Sequence, residues 1–252
     1  MEVVFAPSRR YGHSCNRDLH ASDAMQLVMM LYVASTWLLP VLIAVTLHEA
    51  AHGFVAHQLG DDTAYRLGRV TFNPLKHIDP FGTILMPAIL LLLRSPFLFG
   101  YAKPVPVNFG ALRHPRRDMV LVAAAGPGMN IALATLAALL FHIASYLPPG
   151  AASWVALNLQ NALIINVVLA VFNMLPLPPL DGGRVAVGLL PNFLSEPLAR
   201  LEPYGMMILI TLLFFLPMLG AQMGLDLNII SRLIGVPTEA IIRGIVQLTG
   251  NG

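Results

Sequence analysis

Leu38-Leu39-Pro40-Val41-Leu42-Ile43-Ala44-Val45-Thr46-Leu47-His48-Glu49-Ala50-Ala51-His52 places two histidines and a glutamate inside a run of apolar residues long enough to cross a membrane. Histidines four apart share one face of a helix, so both imidazoles can reach a single metal ion. Glu49 follows the first histidine and can face the same ion without ligating it. This is the pattern of a zinc site with a carboxylate general base. Ionisable groups at such depth are expensive and mark function by default.

The composition agrees with a membrane setting. Hydrophobic residues make up 56% of the 252 and charged residues 11%, against roughly a quarter charged in a soluble domain; the mean hydropathy is +0.71. A net charge of +2 does not point to nucleic acid. The single cysteine, Cys15, excludes an internal disulfide and reads as an incidental thiol. The length suits one integral domain without an appended folded module. Residues 1–24 lack the pattern of a cleaved signal peptide, so the first apolar run is expected to stay as a membrane helix.

Apolar segments run from about Met25 to His57, Phe81 to Tyr101, Met119 to Leu147, Trp154 to Leu175 and Tyr204 to Leu219. The first exceeds the roughly 20 residues a span needs, with Pro40 the expected kink. The second is broken by Pro87, Arg94, Ser95 and Pro96. From Leu225 to Leu248, apolar residues recur at helical spacing around Arg232, Glu239 and Arg243. That stretch reads as an amphipathic surface helix or as a weak sixth span split by Pro237. The expected fold class is an all-α integral membrane protein, a multi-span helical bundle of about 4–6 membrane segments. A re-entrant or short β element is expected between the HExxH helix and the Gly-Pro-Gly helix.

A zinc site needs a third ligand, an acid or another histidine. The fourth apolar segment runs into Asn173-Met174-Leu175-Pro176-Leu177-Pro178-Pro179-Leu180-Asp181-Gly182-Gly183-Arg184. Its prolines cannot continue a helix, so the stretch is extended and must be buried in protein or line a polar cavity. Asp181 ends it, before two glycines that allow a sharp turn. A carboxylate on such a strand can reach a helix-borne histidine pair.

Together these blocks resemble the site-2 protease family of intramembrane zinc metalloproteases, in its compact bacterial form without a PDZ or CBS module. The resemblance rests on His48-Glu49-Ala50-Ala51-His52, Gly126-Pro127-Gly128-Met129-Asn130, and Asn173 through Gly183, which matches the family's Asn-x-x-Pro-x-Pro-x-x-Asp-Gly. Asn73 through Pro80 and Tyr101 through Val107 also look like the compact subgroup, so the match covers roughly residues 40–190.

The resemblance implies one Zn2+ per chain, held by His48, His52 and Asp181. Glu49 would act as the base. Asn173 would donate a hydrogen bond to the developing oxyanion; such a donor is worth roughly 3–4 kcal/mol elsewhere. It also implies hydrolysis of peptide bonds in or near transmembrane segments of membrane proteins, as in regulated intramembrane proteolysis. The partners are then a transmembrane protein substrate and membrane lipid, with no nucleic acid and the oligomeric state open. Residues 1–24 would form a polar amino-terminal tail, 25–220 the membrane-embedded metalloprotease domain, and 221–252 a carboxy-terminal amphipathic or weakly spanning segment.

Two other readings use the same residues. A catalytically silent membrane scaffold or chaperone of this fold is disfavoured by the intact Glu49. A metal transporter would string polar residues along several spans, whereas here they cluster at one depth.

The short Pro148-Pro149-Gly150 turn makes the third and fourth segments antiparallel. A full crossing of 81–101 would bring the zinc ligands in from opposite sides; re-entry, which the prolines and Arg94 favour, would bring them in from one. Arg66, Arg69, Lys76, Lys103, Arg113, Arg116, Arg117, Arg184 and Arg200 would then share the catalytic side, which the positive-inside bias makes cytoplasmic. The expected location is the bacterial inner or plasma membrane.

Residues Tyr101 to Phe109 suit an edge strand that accepts a substrate strand, or an ordinary loop. Gly126-Pro127-Gly128 reads as close helix packing. Asn130 reads as a satisfied core amide or a partner of the site. His57 reads as interfacial, His77 and Asp79 as solvated loop residues, and His142 as a hydrogen-bonded packing residue. Arg184 is placed to orient Asp181 or to reach lipid phosphate.

Overall fold

The computed structural model describes residues 14–92, 102–144 and 146–251. Helix α1 (Ser14–Gln58) is a continuous 45-residue helix with Pro40 inside it. It takes in residues 14–24 of the expected tail, since neither Gly nor Pro interrupts the chain between Ser14 and Leu39. At 1.5 Å per residue it is about 67 Å long, over twice the hydrocarbon core. Its residues 25–34 stand clear of the bundle, with Met25, Leu27, Met29 and Met30 exposed.

A turn at Gly60 leads to α2 (Thr63–Arg66). A π-helical turn at Pro80–Leu85 then feeds α3 (Met86–Leu92). Asp79 caps that turn, accepting from Phe81 N at 3.0 Å and Gly82 N at 2.7 Å. The rest of the apolar segment 81–101, with Arg94, Ser95 and Pro96, lies outside the described residues.

Helices α4 (Pro115–Ala144) and α5 (Pro149–Asn173) form an antiparallel hairpin. The chain continues through α6 (Asp181–Leu189), α7 (Asn192–Ala199), α8 (Gly205–Ile210), α9 (Leu216–Gln222) and α10 (Ile229–Leu248). Among the described residues, Met25–Gln58, Pro115–Ala144, Pro149–Asn173 and Asn192–Gln222 are long and apolar enough to cross a membrane. No strand occurs among them. Residues 102–108 carry no regular secondary structure and take the loop form of the two expectations.

Helices α1, α4 and α5 form the centre. Asn130 Nδ2 donates to Ala44 O at 3.3 Å, and Asn161 Nδ2 donates to Thr36 O at 3.0 Å. These contacts, with those of His48 and His52 described below, fix α1 antiparallel to α4 and parallel to α5. Buried Ala44, Ala123, Ala134, Ala138 and Ala170 let the backbones approach closely. Arg113 N donates to Leu59 O at 3.1 Å, and Lys103 N to His77 O at 2.9 Å. The stretch from 60 to 112 therefore leaves and returns at the same end of the bundle.

Helix α10 lies along α4 and α5 rather than apart from them. Ile245 packs with Ala134, Ala138 and Val167, while Arg232, Glu239 and Arg243 face outward. His142 and Thr249 O lie 2.7 Å apart, and Asn251 Nδ2 donates to Ala138 O at 2.8 Å, which pins the carboxy-terminal end.

Candidate metal centre

The helical spacing of His48 and His52 brings their rings edge to face, with centroids 4.7 Å apart. Both rings point into α4 and are buried. His48 Nδ1 lies 2.5 Å from Asn130 Oδ1, and His52 Nδ1 lies 2.7 Å from Val122 O. Both partners only accept, so each Nδ1 carries a proton and donates it. In the neutral rings both Nε2 atoms then bear lone pairs, and these lie 3.1 Å apart.

Asp181 Oδ2 lies 3.3 Å from each Nε2, closing a triangle of ligand-type atoms. Two lone pairs and a carboxylate oxygen so close repel one another unless positive charge stands among them. A tetrahedral ion bound at about 2.0–2.1 Å requires donors about 3.3–3.4 Å apart, so the triangle fits zinc in size and in donor type.

Asp181 opens α6. Desolvation works to raise its pKa; with the imidazoles protonated, their hydrogen bonds and charge outweigh this and hold the carboxyl well below the usual carboxylate range. The ionised form is the one that ligates. Gly182 and Gly183 are helical rather than a sharp turn. They are small because the Met174–Leu175 and Leu177–Pro178 backbones lie against them, where a Cβ would overlap. The close approach of the Pro-rich loop to α6 is what carries Asp181 to α1.

Gly126 is equally constrained. A Cβ there would lie 2.6 Å from both His48 Nε2 and Cε1 and closer still to His52 Nε2, whereas a Cβ at Gly128 would meet nothing within 4 Å. The Gly-Pro-Gly block thus contains a residue that lets α4 close over the imidazoles. Helix packing and the site's chemistry are one function at this position.

Glu49 lies beside the triangle, half-buried, and its Oε2 accepts from Val105 N at 2.8 Å. Val105 belongs to the 102–108 stretch. That stretch is anchored by Arg69 Nη2, which donates to Lys103 O at 2.8 Å, and by Asp61 Oδ2, which accepts from Asn108 N at 2.6 Å. A cleft holds Glu49, the triangle, Val105, Val107, Phe109, Asn173 and Arg184. Asn173 Nδ2 donates one hydrogen to Leu169 O at 3.0 Å, leaving the second amide hydrogen for the cleft.

Other residues named in the sequence lie outside the triangle. Arg184 neither orients Asp181 nor stands free: its Nη2 reaches Glu202 Oε1 at 3.3 Å and its guanidinium lies over Phe109. His77 is buried, not solvated, because the returning chain at Lys103 covers it and bonds its carbonyl. His57 pairs with Asp62 at 2.8 Å and stacks on Tyr65, away from the triangle. Sequence reasoning missed Asn166, Arg69, Asp61 and the Val105 amide. Asn166 carried a readable signal as one of several amides in an apolar span.

Comparison with known proteins followed the same direction. The model of peptidase family M50 matches residues 142–216, which include Asp181. A Bacillus subtilis protein named "Putative zinc metalloprotease YwhC" is 38% identical over 179 residues, covering 68% of this chain and 76% of the relative. Two proteins named "Putative zinc metalloprotease Rip2" are also similar. The one from Mycolicibacterium smegmatis is 30% identical over 68% of this chain and 64% of its own length; the one from Mycobacterium tuberculosis is 31% identical over 68% and 62%. The chain thus spans somewhat less than two thirds of the mycobacterial relatives it matches. No solved structure matches it. On the strength of the Bacillus relative and the family match, the chain is an integral membrane protein that belongs to peptidase family M50, the site-2 proteases.

Proposed function

We propose that this chain is a zinc-dependent intramembrane endopeptidase in which His48, His52 and Asp181 hold the metal and Glu49 is the base. The observation that carries the reading is the 3.1–3.3 Å triangle of two Nε2 atoms and one carboxylate oxygen, with a second carboxylate, Glu49, beside it. Zinc bound there supplies Lewis acidity and makes water a nucleophile near neutral pH.

The residues supply the rest. Glu49 takes a proton from the attacking water and returns it to the nitrogen of the breaking amide, so no net proton is consumed. The Val105 N–H holds one Glu49 oxygen and leaves the other for the water. The second Asn173 amide hydrogen would stabilise charge on the carbonyl oxygen, a contribution of about 3–4 kcal/mol in comparable sites.

The substrates are peptide segments of membrane proteins that unwind into the cleft, because a helical backbone hides its carbonyls in hydrogen bonds. Arg66, Arg69, Lys76 and Lys103 lie on the stretch from 60 to 112, and Arg113 directly follows it, at the catalytic end of the bundle where the stretch begins and ends. By the positive-inside bias that end faces the cytoplasm of a plasma membrane.

The test is purification in detergent, a zinc determination, and cleavage of a model transmembrane peptide. Wild type should hold about one zinc per chain and cleave. Glu49→Gln should keep the zinc and lose cleavage. Cleavage by Glu49→Gln at the wild-type rate would overturn the assignment of the base.

A further inference from the structure

Two backbone carbonyls decide how an amide pair stands behind His48. A carboxamide has two nearly isosteric edges, one that accepts and one that donates. Asn166 lies on α5, with its amide nitrogen 2.8 Å from Ala162 O. A carbonyl can only accept, so the Asn166 NH2 must face it and the Asn166 oxygen must point away. That oxygen lies 2.8 Å from Asn130 Nδ2 on α4. The same Nδ2 faces Ala44 O on α1 at 3.3 Å. Two acceptors therefore claim the donating edge of Asn130, and the shorter contact is that of Asn166. The accepting edge is left for His48 Nδ1, 2.5 Å away. Asn130 is 0% exposed and Asn166 2%, so water does not compete for either amide.

We propose that Asn166 is a positioning residue for the metal site. It sets which edge of Asn130 meets His48, and so keeps the His48 proton on Nδ1 and the Nε2 lone pair directed at Asp181 and His52. The inference rests on the metal-binding role of His48 proposed above. If the Asn130 amide turned over, its NH2 would face Nδ1 and draw the lone pair there. The proton would then sit on Nε2, in the middle of the triangle, where it excludes a cation. His52 has no such dependence, because its partner is the Val122 carbonyl, which cannot turn over. Asn166 does this without touching His48, across three helices: α5 orients α4's amide, which orients α1's ligand.

The test is zinc affinity by competition with a chelator on the full chain in detergent, with peptide cleavage measured beside it. Asn166→Leu removes the acceptor while keeping the branching at Cγ and should weaken zinc about 10- to 100-fold, the usual scale for the partner of a ligating histidine. Excess zinc should restore its cleavage. Asn166→Asp, kept neutral by burial, accepts from Asn130 and donates to Ala162 O as asparagine does. It should stay within about threefold of wild type, a small fraction of that loss. Asn161→Leu removes a buried amide from the same helix, bonded to Thr36 instead; it should leave zinc affinity unchanged. Wild-type affinity in Asn166→Leu would overturn the proposal, as would an equal loss in Asn161→Leu, which would mean general loosening of the bundle. Failure of the wild-type chain to bind zinc would instead remove the functional reading on which the proposal stands.

Discussion

Gly126→Ala is expected to dismantle the metal site while leaving the bundle folded. The added methyl would sit 2.6 Å from His48 Nε2 and Cε1 and closer still to His52 Nε2. Ordinary carbon contacts begin near 3.5 Å, so α4 must withdraw by roughly 1 Å or both rings must rotate. Either change acts on the hydrogen bonds that aim the ligands, because both acceptors, Val122 O at 2.7 Å and Asn130 Oδ1 at 2.5 Å, are on α4. A shift of about 1 Å takes both past hydrogen-bonding distance. Each such partner is worth about 10- to 100-fold in metal affinity, so loss of both should weaken zinc about 100- to 10,000-fold. Gly128→Ala is the control. Its methyl meets nothing within 4 Å, and alanine is the better helix former by about 1 kcal/mol, so zinc, cleavage and stability should hold or improve. The measurements are chelator-competed zinc affinity and thermal unfolding of both variants. Wild-type zinc affinity in Gly126→Ala would refute the reasoning, since the methyl is admitted only if α4 or both rings move.

Three further outcomes follow from the same geometry. Asp181→Ala should lose zinc affinity and cleavage together, measured by metal content under dilute chelator; full occupancy would mean that another residue completes the ligand set. Asn173→Ala should keep zinc and KM but lower kcat about 100- to 1,000-fold; an unchanged kcat would remove Asn173 from the reaction. Arg69→Met should keep zinc and lower cleavage about tenfold, because charged hydrogen bonds of about 1.5–3 kcal/mol no longer hold the Lys103–Pro104 backbone that presents Val105 N to Glu49.

The part of the site legible in the sequence is the part that local geometry dictates. The i, i+4 pair His48 and His52 needs only a helix, and Asp181 stood out because prolines end a membrane segment just before an acid. The number of apolar segments likewise gave the bundle. What escaped reading depends on how helices face one another. Gly126 and Gly128 look alike in the chain, and only the register of α4 on α1 places one against the imidazoles and the other in open space. Asn158, Asn161 and Asn166 are three similar amides in one apolar span, and only their rotation about α5 decides that Asn166 reaches Asn130. The partner of Glu49 is a backbone amide, which has no residue type to betray it. His77 reads as solvated because the chain that covers it arrives from 26 residues away in sequence, at Lys103.

Metal geometry and base geometry are built by different parts of the molecule. The three candidate ligands and their acceptors sit on α1, α4 and the α5–α6 junction, which are packed through alanine and glycine at backbone distance. Such contacts leave little slack, and the acceptors Val122 O and Asn130 move only if a helix moves. The Glu49 partner sits on the stretch from 60 to 112, which packs on Ala56 and Val122 through Leu112, Val107 and Phe109 and is tied together by single polar links: Asp61 to Asn108, Arg69 to Lys103, and His77 to Lys103. Each link is worth only about 1–3 kcal/mol, so the part that presents Val105 is held less tightly than the helices. A peptide entering the cleft between Val105 and Asn173 would displace that part first. Changes at residues 122–130 and at Asn166 should therefore appear in zinc affinity before cleavage at saturating metal. Changes along 61–108 should appear in cleavage with zinc untouched.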